Sequence, residues 1–252
     1  MQSTIPNPGE LKAEVADFYR QALVSLTEAN LPFLVGGALA LRYYTGIIRH
    51  TKDLDLFVRF EDSARLLEKL AAKGYRTELT DPQWLAKVFS DEHFIDVIFA
   101  SGKGLGLVDQ VWFDHAAEGE LFGVPVRFCP AEEIIWSKAF IMERERYDGA
   151  DIAHLLRARG RDLDWKRLLQ HFGSYWRVLF SHLILHGFVY PSEPAQVPSW
   201  VLAELLSRFQ NELNSSADSE RICRGPLLSH TQYLIDLERW GYQDGRPRAQ
   251  VT

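Results

Sequence analysis

Two aspartates stand one residue apart in an apolar run, Asp53-Leu54-Asp55-Leu56-Phe57-Val58. Read as a strand, this run places side chains alternately on opposite faces. Asp53 and Asp55 then share one face, while Leu54 and Leu56 point into a core. Two carboxylates side by side repel each other and gain nothing from burial. They call for a compensating charge, most simply a divalent cation. Upstream, Phe33-Leu34-Val35 ends at Gly36-Gly37 and leads into an amphipathic segment, Ala38 to Tyr44. A strand that turns through two glycines into a helix lets backbone N–H groups approach a phosphate at the helix N-terminus. An anion cradle beside a carboxylate pair suits a metal–nucleotide complex, because Mg²⁺ takes one or two carboxylates plus substrate phosphates. A third acid, Asp96, interrupts the apolar run His93-Phe94-Ile95-Asp96-Val97-Ile98-Phe99-Ala100. A lone carboxylate in such a strand is costly unless it is paired or ligates a metal. If the two strands are neighbours, the three acids meet.

Gly36-Gly37, Asp53-Leu54-Asp55 and Asp96, in that order, resemble the signature of the nucleotidyltransferase superfold of the DNA polymerase beta type. The stretch GGALALRYYTGIIRHTKDLDL is most similar to the abortive-infection and type IV toxin–antitoxin nucleotidyltransferases. In that group a longer helix and link separate the glycines from a Thr-x-Asp-hydrophobic-Asp. The resemblance implies a mixed α/β (α+β) sheet domain followed by an all-helical domain that completes the cleft. It implies transfer of a nucleoside monophosphate from an NTP to a hydroxyl on RNA or tRNA, a protein or a small molecule. Asp53, Asp55 and Asp96 become metal ligands and catalytic residues, with Mg²⁺ or Mn²⁺ as the ion. Gly36, Gly37, Thr51, Lys52 and Lys138 become nucleotide-binding residues, and Arg49 or Lys52 can neutralise developing charge. An antitoxin-like partner is a corollary. The rival reading is an inactive nucleotide-binding or protein-interaction module of the same fold, since fold does not fix function. Retention of all three acids weighs against it.

Composition sets bounds on these readings. The 252 residues are 46% hydrophobic and 25% charged, ordinary values for a globular protein. No apolar run approaches the roughly 18 residues of a membrane span. The opening MQSTIPNPGE has neither a basic nor an apolar region, so no signal peptide is expected and a cytoplasmic location is. Cys129 and Cys223 lie far apart without metal-ligand spacing and are expected to be reduced. A net charge of −6 argues against an extensive nucleic-acid footprint but leaves room for a local basic patch.

The elements that must position the acids follow from periodicity. Apolar residues at Leu11, Val15, Phe18, Ala22, Leu23 and Leu26 predict a helix over 11–29, stopped by Asn30-Leu31-Pro32. A second helix is predicted over 61–73 with Gly74 at its stop. Tyr75 to Leu79 reads as a short strand, and Trp84 to Phe89 leads into the Asp96 strand. Ser101-Gly102-Lys103-Gly104-Leu105-Gly106 is glycine-rich but lacks the Walker spacing, so a flexible loop near the site is favoured over a phosphate loop. Gly119 to Phe128 reads as a strand or hairpin. These elements form a catalytic domain, residues 1–130.

From Ala131 to 252 the pattern is helical, with helices predicted over 132–143, 149–159, 165–171, 175–188, 200–214 and 231–240. Residues 214–220 read as a polar linker, and the tail after Trp240 as loose. The resemblance assigns Lys138 to the phosphates and matches Asp148 and Asp151 to a later acidic pair, with Tyr147 where a basic residue often stands. The alternative for the pair is a helix N-cap and an ion pair with Arg144 or Arg146. Arg157, Arg159, Arg161, Lys166 and Arg167 form a basic stretch that is either a solvated face or an RNA contact. His182 and His186 fall on one helix face, but no third ligand accompanies them.

Overall fold

The computed structural model describes residues 12–49, 51, 53–101, 105–214 and 220–247. It divides into two compact units, 1–134 and 135–252.

In the first unit, α1 (Ala13–Glu28) precedes β1 (Leu34–Val35), α2 (Gly37–Thr45), β2 (Asp53–Phe57) and α3 (Phe60–Ala71). Then come β3 (Arg76–Asp81), β4 (Leu85–Ser90), β5 (His93–Ile98), the short pair β6 (Ala100–Ser101) and β7 (Gly106–Leu107), α4 (Gln110–Asp114), β8 (Ala117–Leu121) and β9 (Val124–Phe128). Seven strands form one mixed sheet in the order β3-β4-β5-β2-β1-β9-β8. The central pair β2 and β5 is parallel, and β1 runs antiparallel to β2 and parallel to β9.

Alternation explains why the acid-bearing strands hold the middle. Leu54 and Leu56 of β2 and Ile95 and Val97 of β5 have no exposed surface, while Asp53, Asp55 and Asp96 on the opposite pleat are half-buried. The four apolar side chains anchor both strands through the hydrophobic effect, each worth about 1.5–3 kcal/mol on burial. Their register therefore fixes where the carboxylates point. Helix α1 buries Val15, Phe18, Tyr19, Ala22, Leu23 and Leu26, one stripe at helical spacing. It ends where Asn30 takes φ +51°, with Leu31 N–H donating to Leu26 O at 3.0 Å. Asn tolerates this left-handed geometry better than most residues, and Pro32 forbids continuation.

Several boundaries differ from those the sequence predicts. Residues 85–90 form a full strand rather than a lead-in, paired on both sides. Residues 110–114 form a helix capped by Asp109, whose carboxylate accepts from Val111 N–H at 2.9 Å. The glycine-rich segment is flanked by the antiparallel pair β6–β7; residues 102–104 lie outside the described residues.

Helix α5 (Ala131–Ala139) runs across the division between the units. The second unit continues with α6 (Gly149–Arg159), α7 (Trp165–Phe172), α8 (Trp176–Val189), α9 (Ser199–Leu213), β10 (Ile222–Cys223), α10 (Leu234–Glu238) and β11 (Gln243–Asp244). Trp136, Phe140 and Phe172 pack edge-to-face and stacked at its centre, with centroids 4.9–6.1 Å apart. Helix α5 stops at Ala139 rather than at 143. Residues 142–147 instead form a tight reversal, with Met142 bridging Tyr147 and Glu143 N–H donating to Arg146 O at 2.8 Å. The helix predicted over 231–240 shrinks to α10, and within the tail Gln243 and Asp244 pair with Ile222 and Cys223, while residues 248–252 lie outside the described residues. Both cysteines are free thiols. Among the described residues, no helix is long and apolar enough to cross a membrane.

Candidate active site

Parallel pairing sets Asp55 directly opposite Asp96, with Asp53 one rung away on the same face. Each of the three offers a carboxylate oxygen within 4.8 Å of the others. The closure of the three acids expected from the sequence is thus present.

The glycines are placed against this cluster by backbone geometry. Gly36 N–H donates to Asp55 O at 2.9 Å, which ties the end of β1 to the middle of β2. Gly37 opens α2 with φ +56°. A Cβ built on Gly37 would overlap Asp55 Oδ2 and stand 2.6 Å from its Cγ. At Gly36 it would strike the Phe57 ring. Glycine is therefore required twice over at Gly37, by dihedral angle and by the carboxylate lying on it. The turn and the acids form one site.

Thr51, expected to bind nucleotide, sits beside Asp53. Its hydroxyl oxygen is 2.9 Å from both the Asp53 carbonyl and Asp53 Oδ1. One hydrogen serves one acceptor at a time, so the contact orients the Asp53 carboxylate. Lys52 lies outside the described residues. Arg49 is exposed at the end of the link.

Two contributors were not read from the sequence. Lys87 of β4 is the cross-strand partner of Asp96, and its Nζ is 2.6 Å from Asp96 Oδ1. Tyr19 of α1 is fully buried and donates its hydroxyl to Phe94 O at 3.3 Å. Burial, then the charges of Asp53, Asp55 and Asp96, push its phenol well above the usual range, so it stays a neutral donor beneath the acids. Asp96 itself is raised from the ordinary carboxylate value. Burial is the main cause, Lys87 offsets part of it, and Asp53 adds to it. Burial, Glu133 and Asp55 likewise hold the Cys129 thiol protonated.

In the second unit, Lys138 Nζ lies 2.8 Å from Asp148 Oδ2 and 2.8 Å from Asp151 Oδ2. Arg146 Nε adds a contact to Asp148 at 3.1 Å. Burial works against the Asp148 charge, but the bonds from Arg146 and Lys138 outweigh it and hold the carboxyl below its usual value. Asp148 occupies the N-cap position of α6 without a side-chain capping bond. Asp148 thus makes the ion pair with Arg146, and Lys138 is shared by Asp148 and Asp151. The basic stretch is partly neutralised, since Arg157 pairs with Glu193 at 3.0 Å and Arg159 with Asp162 at 3.7 Å. His182 is buried with Nε2 3.0 Å from Ala139 O, so it is a packed histidine rather than a ligand.

The donor set fits a hard divalent cation. Three carboxylates, each with an oxygen within 4.8 Å of the others, match the oxygen preference of Mg²⁺ or Mn²⁺. The mixed sheet, the glycine turn and the three converging aspartates agree with a nucleotidyltransferase fold. The chain belongs to the family described as "Nucleotidyl transferase of unknown function (DUF2204)", which matches residues 15–175. No curated protein matches it. Among solved structures it is similar to the antibiotic-resistance factor ANT(2'')-Ia, at 19% identity and TM-score 0.42, covering 81% of this chain and 97% of that one. It is similar to the lincosamide antibiotic adenylyltransferase LnuA in its lincomycin-bound form, at 15% identity and TM-score 0.41, covering 58% and 97%. A third likeness is to the Megavirus polyadenylate synthase, at 13% identity and TM-score 0.42, covering 62% and 35%.

Proposed function

We propose that this chain transfers a nucleoside monophosphate from an NTP to a hydroxyl acceptor in a Mg²⁺- or Mn²⁺-dependent reaction. The observation that carries the reading is the register of β2 and β5, which puts Asp55 beside Asp96 and gathers three carboxylates around one point. A divalent cation held there neutralises triphosphate charge and favours the ionised acceptor hydroxyl. Asp53 and Asp55 hold the nucleotide side of the site, and Thr51 keeps Asp53 aimed. The N–H groups of the first turn of α2, which opens at Gly37, face the phosphates, while Gly36 supplies the close turn. Asp96 comes from the neighbouring strand and takes the acceptor side, where its raised affinity for a proton suits it to accept one. The acceptor oxygen forms a bond to the α-phosphorus, the α–β bridging P–O bond breaks, and pyrophosphate leaves. The hydroxyl proton passes to Asp96 and on to solvent. Residues 1–130 supply this chemistry, and residues 131–252 form a separate helical domain. The acceptor belongs to one of three classes: an RNA end such as tRNA, a protein, or a small hydroxylated molecule. The link between Gly37 and Asp53 supports placement near the toxin–antitoxin group.

The test supplies the purified chain with Mg²⁺, each α-labelled NTP in turn, and RNA, protein or small-molecule fractions of a cell extract. Label transfer with pyrophosphate release, abolished in Asp53→Asn, is expected in one fraction. NTP binding with no transfer in any fraction would favour the inactive module.

A further inference from the structure

Four strands carry charged residues on a single rung. Glu78 of β3 is opposite Lys87 of β4, Lys87 is opposite Asp96 of β5, and Asp96 is opposite Asp55 of β2. Directly paired residues face the same side of a sheet, so these four side chains form one row that ends in the acidic centre. Lys87 has a carboxylate on each side and takes Asp96. Its Nζ lies 2.6 Å from Asp96 Oδ1, while Glu78 is held by Arg76 at 2.8 Å. The Phe94 ring lies under the same ammonium at 3.9 Å. Phe94 and Asp96 are two apart on β5, so ring and carboxylate grip the lysine from one face. The side chains of Lys87 and Asp96 are only 21% and 15% exposed, which strengthens the charge pair relative to one in open water.

From this row we infer that Lys87 is a positioning residue for the transfer reaction: it holds Asp96 by Oδ1 and occupies part of the acidic centre with a fixed positive charge. The inference rests on reading Asp53, Asp55 and Asp96 as a divalent-cation site. Three carboxylates carry a charge of −3, and Lys87 reduces the local sum to −2. The protein alone then attracts a bare cation less than three unscreened acids would. Mg²⁺ arriving with a triphosphate brings its own ligands and is less affected. Lys87 thus biases the centre toward cation loading together with the nucleotide. The bond to Oδ1 fixes the orientation of the Asp96 carboxylate, which keeps an oxygen within 4.8 Å of those of Asp53 and Asp55.

The experiment uses the full chain and Mn²⁺ alone as probe, followed by electron paramagnetic resonance without nucleotide. Lys87→Met keeps the length and apolar stem but removes the charge. It is expected to bind Mn²⁺ about tenfold or more tightly than wild type, the effect of deleting one unit charge beside a cation site. The same variant should lose kcat about tenfold or more with little change in KM for the Mg²⁺-bound NTP. Lys87→Arg should restore weak Mn²⁺ binding and part of kcat, and it serves where Lys87→Met fails to fold. Mn²⁺ affinity within twofold of wild type in Lys87→Met overturns the inference, as does a weakened affinity, which would make Lys87 a structural support of the sheet only. Asp53→Asn separates the two readings. If it weakens Mn²⁺ binding while Lys87→Met does nothing, only the role of Lys87 falls. If Asp53→Asn also matches wild type, the cation site falls and the inference with it.

Discussion

Replacing Gly37 by alanine tests the union of turn and acids most directly. The substitution has two costs. The first is the dihedral angle, since φ +56° is left-handed and costs a residue bearing a Cβ about 1–2 kcal/mol. The second is the new methyl, which overlaps Asp55 Oδ2 and stands 2.6 Å from Cγ and 3.1 Å from Cβ of Asp55. Ordinary carbon contacts are about 3.5–4.0 Å, so the carboxylate must retreat by about 1 Å. Forcing it off its rotamer adds roughly 0.5–1.5 kcal/mol. Gly46 provides the control. It sits at the other end of α2 with φ +72° and has no atom within 4 Å of a built Cβ, so alanine there bears the dihedral cost alone. Urea unfolding should show Gly46→Ala destabilised by about 1–2 kcal/mol and Gly37→Ala by about 1.5–3.5 kcal/mol. Activity should separate them further. A 1 Å misplacement of a reacting group costs on the order of 10²-fold, so pyrophosphate release should fall by that factor in Gly37→Ala and hold within a few-fold in Gly46→Ala. Wild-type turnover and Mn²⁺ affinity in a folded Gly37→Ala would refute the placement of Asp55 against the turn. Equal losses in the two variants would refute it as well.

The division of roles among the acids predicts that Asp53→Asn loses both Mg²⁺–NTP binding and transfer. Asp96→Asn should keep binding within a few-fold and lose transfer by roughly 10² or more, by calorimetry and turnover respectively; equal loss of binding in both would refute the division. Lys138→Ala leaves Asp148 and Asp151, whose side chains are 10% and 8% exposed, without their shared ammonium. It should destabilise the protein by about 3 kcal/mol in urea, so that nucleotide affinity must be read on the folded fraction, and a loss under 1 kcal/mol would show that Arg146 suffices. Burial lowers the pKa of His182 from 6.5, so the unfolded chain binds a proton near that pH that the fold refuses. The stability this provides is present above about pH 6.5 and lost as pH falls below it. The melting temperature should decline between pH 7 and 5, and His182→Gln, a neutral donor to Ala139 O, should flatten the decline; parallel curves would reject the assignment.

The acidic centre was legible because its members announce themselves. Asp53 and Asp55 share a pleat by simple alternation, Asp96 is alone in an apolar strand, and the glycines end a buried run. Helix 149–159 was legible to the residue, since it opens on Gly149 and stops before Gly160. Lys87 was not. It is one charged residue in a run read as a lead-in, and only the register of β4 on β5 shows what it faces. Tyr19 hid inside an amphipathic stripe, where its ring counts as core and its hydroxyl is silent. The short α4 and the β10–β11 pair carry too few residues for periodicity to register. Their stability comes from tertiary contacts that no local window contains.

The placement of β5 also dictates when the centre can exist during synthesis. Strands β2 and β5 are parallel neighbours, yet α3, β3 and β4 lie between them in the chain. A parallel pair cannot close by a hairpin, so this whole excursion must be synthesised before Asp55 can meet Asp96. On the other flank β1 is held by β9, which is not made until Phe128. A ribosome-bound chain ending near residue 90 would contain the glycine turn and the paired aspartates of β2 but no third acid. Cation capture by stalled nascent chains should therefore begin only once β5 has cleared the exit tunnel, and the first half of the acidic centre waits on the ribosome for its third member.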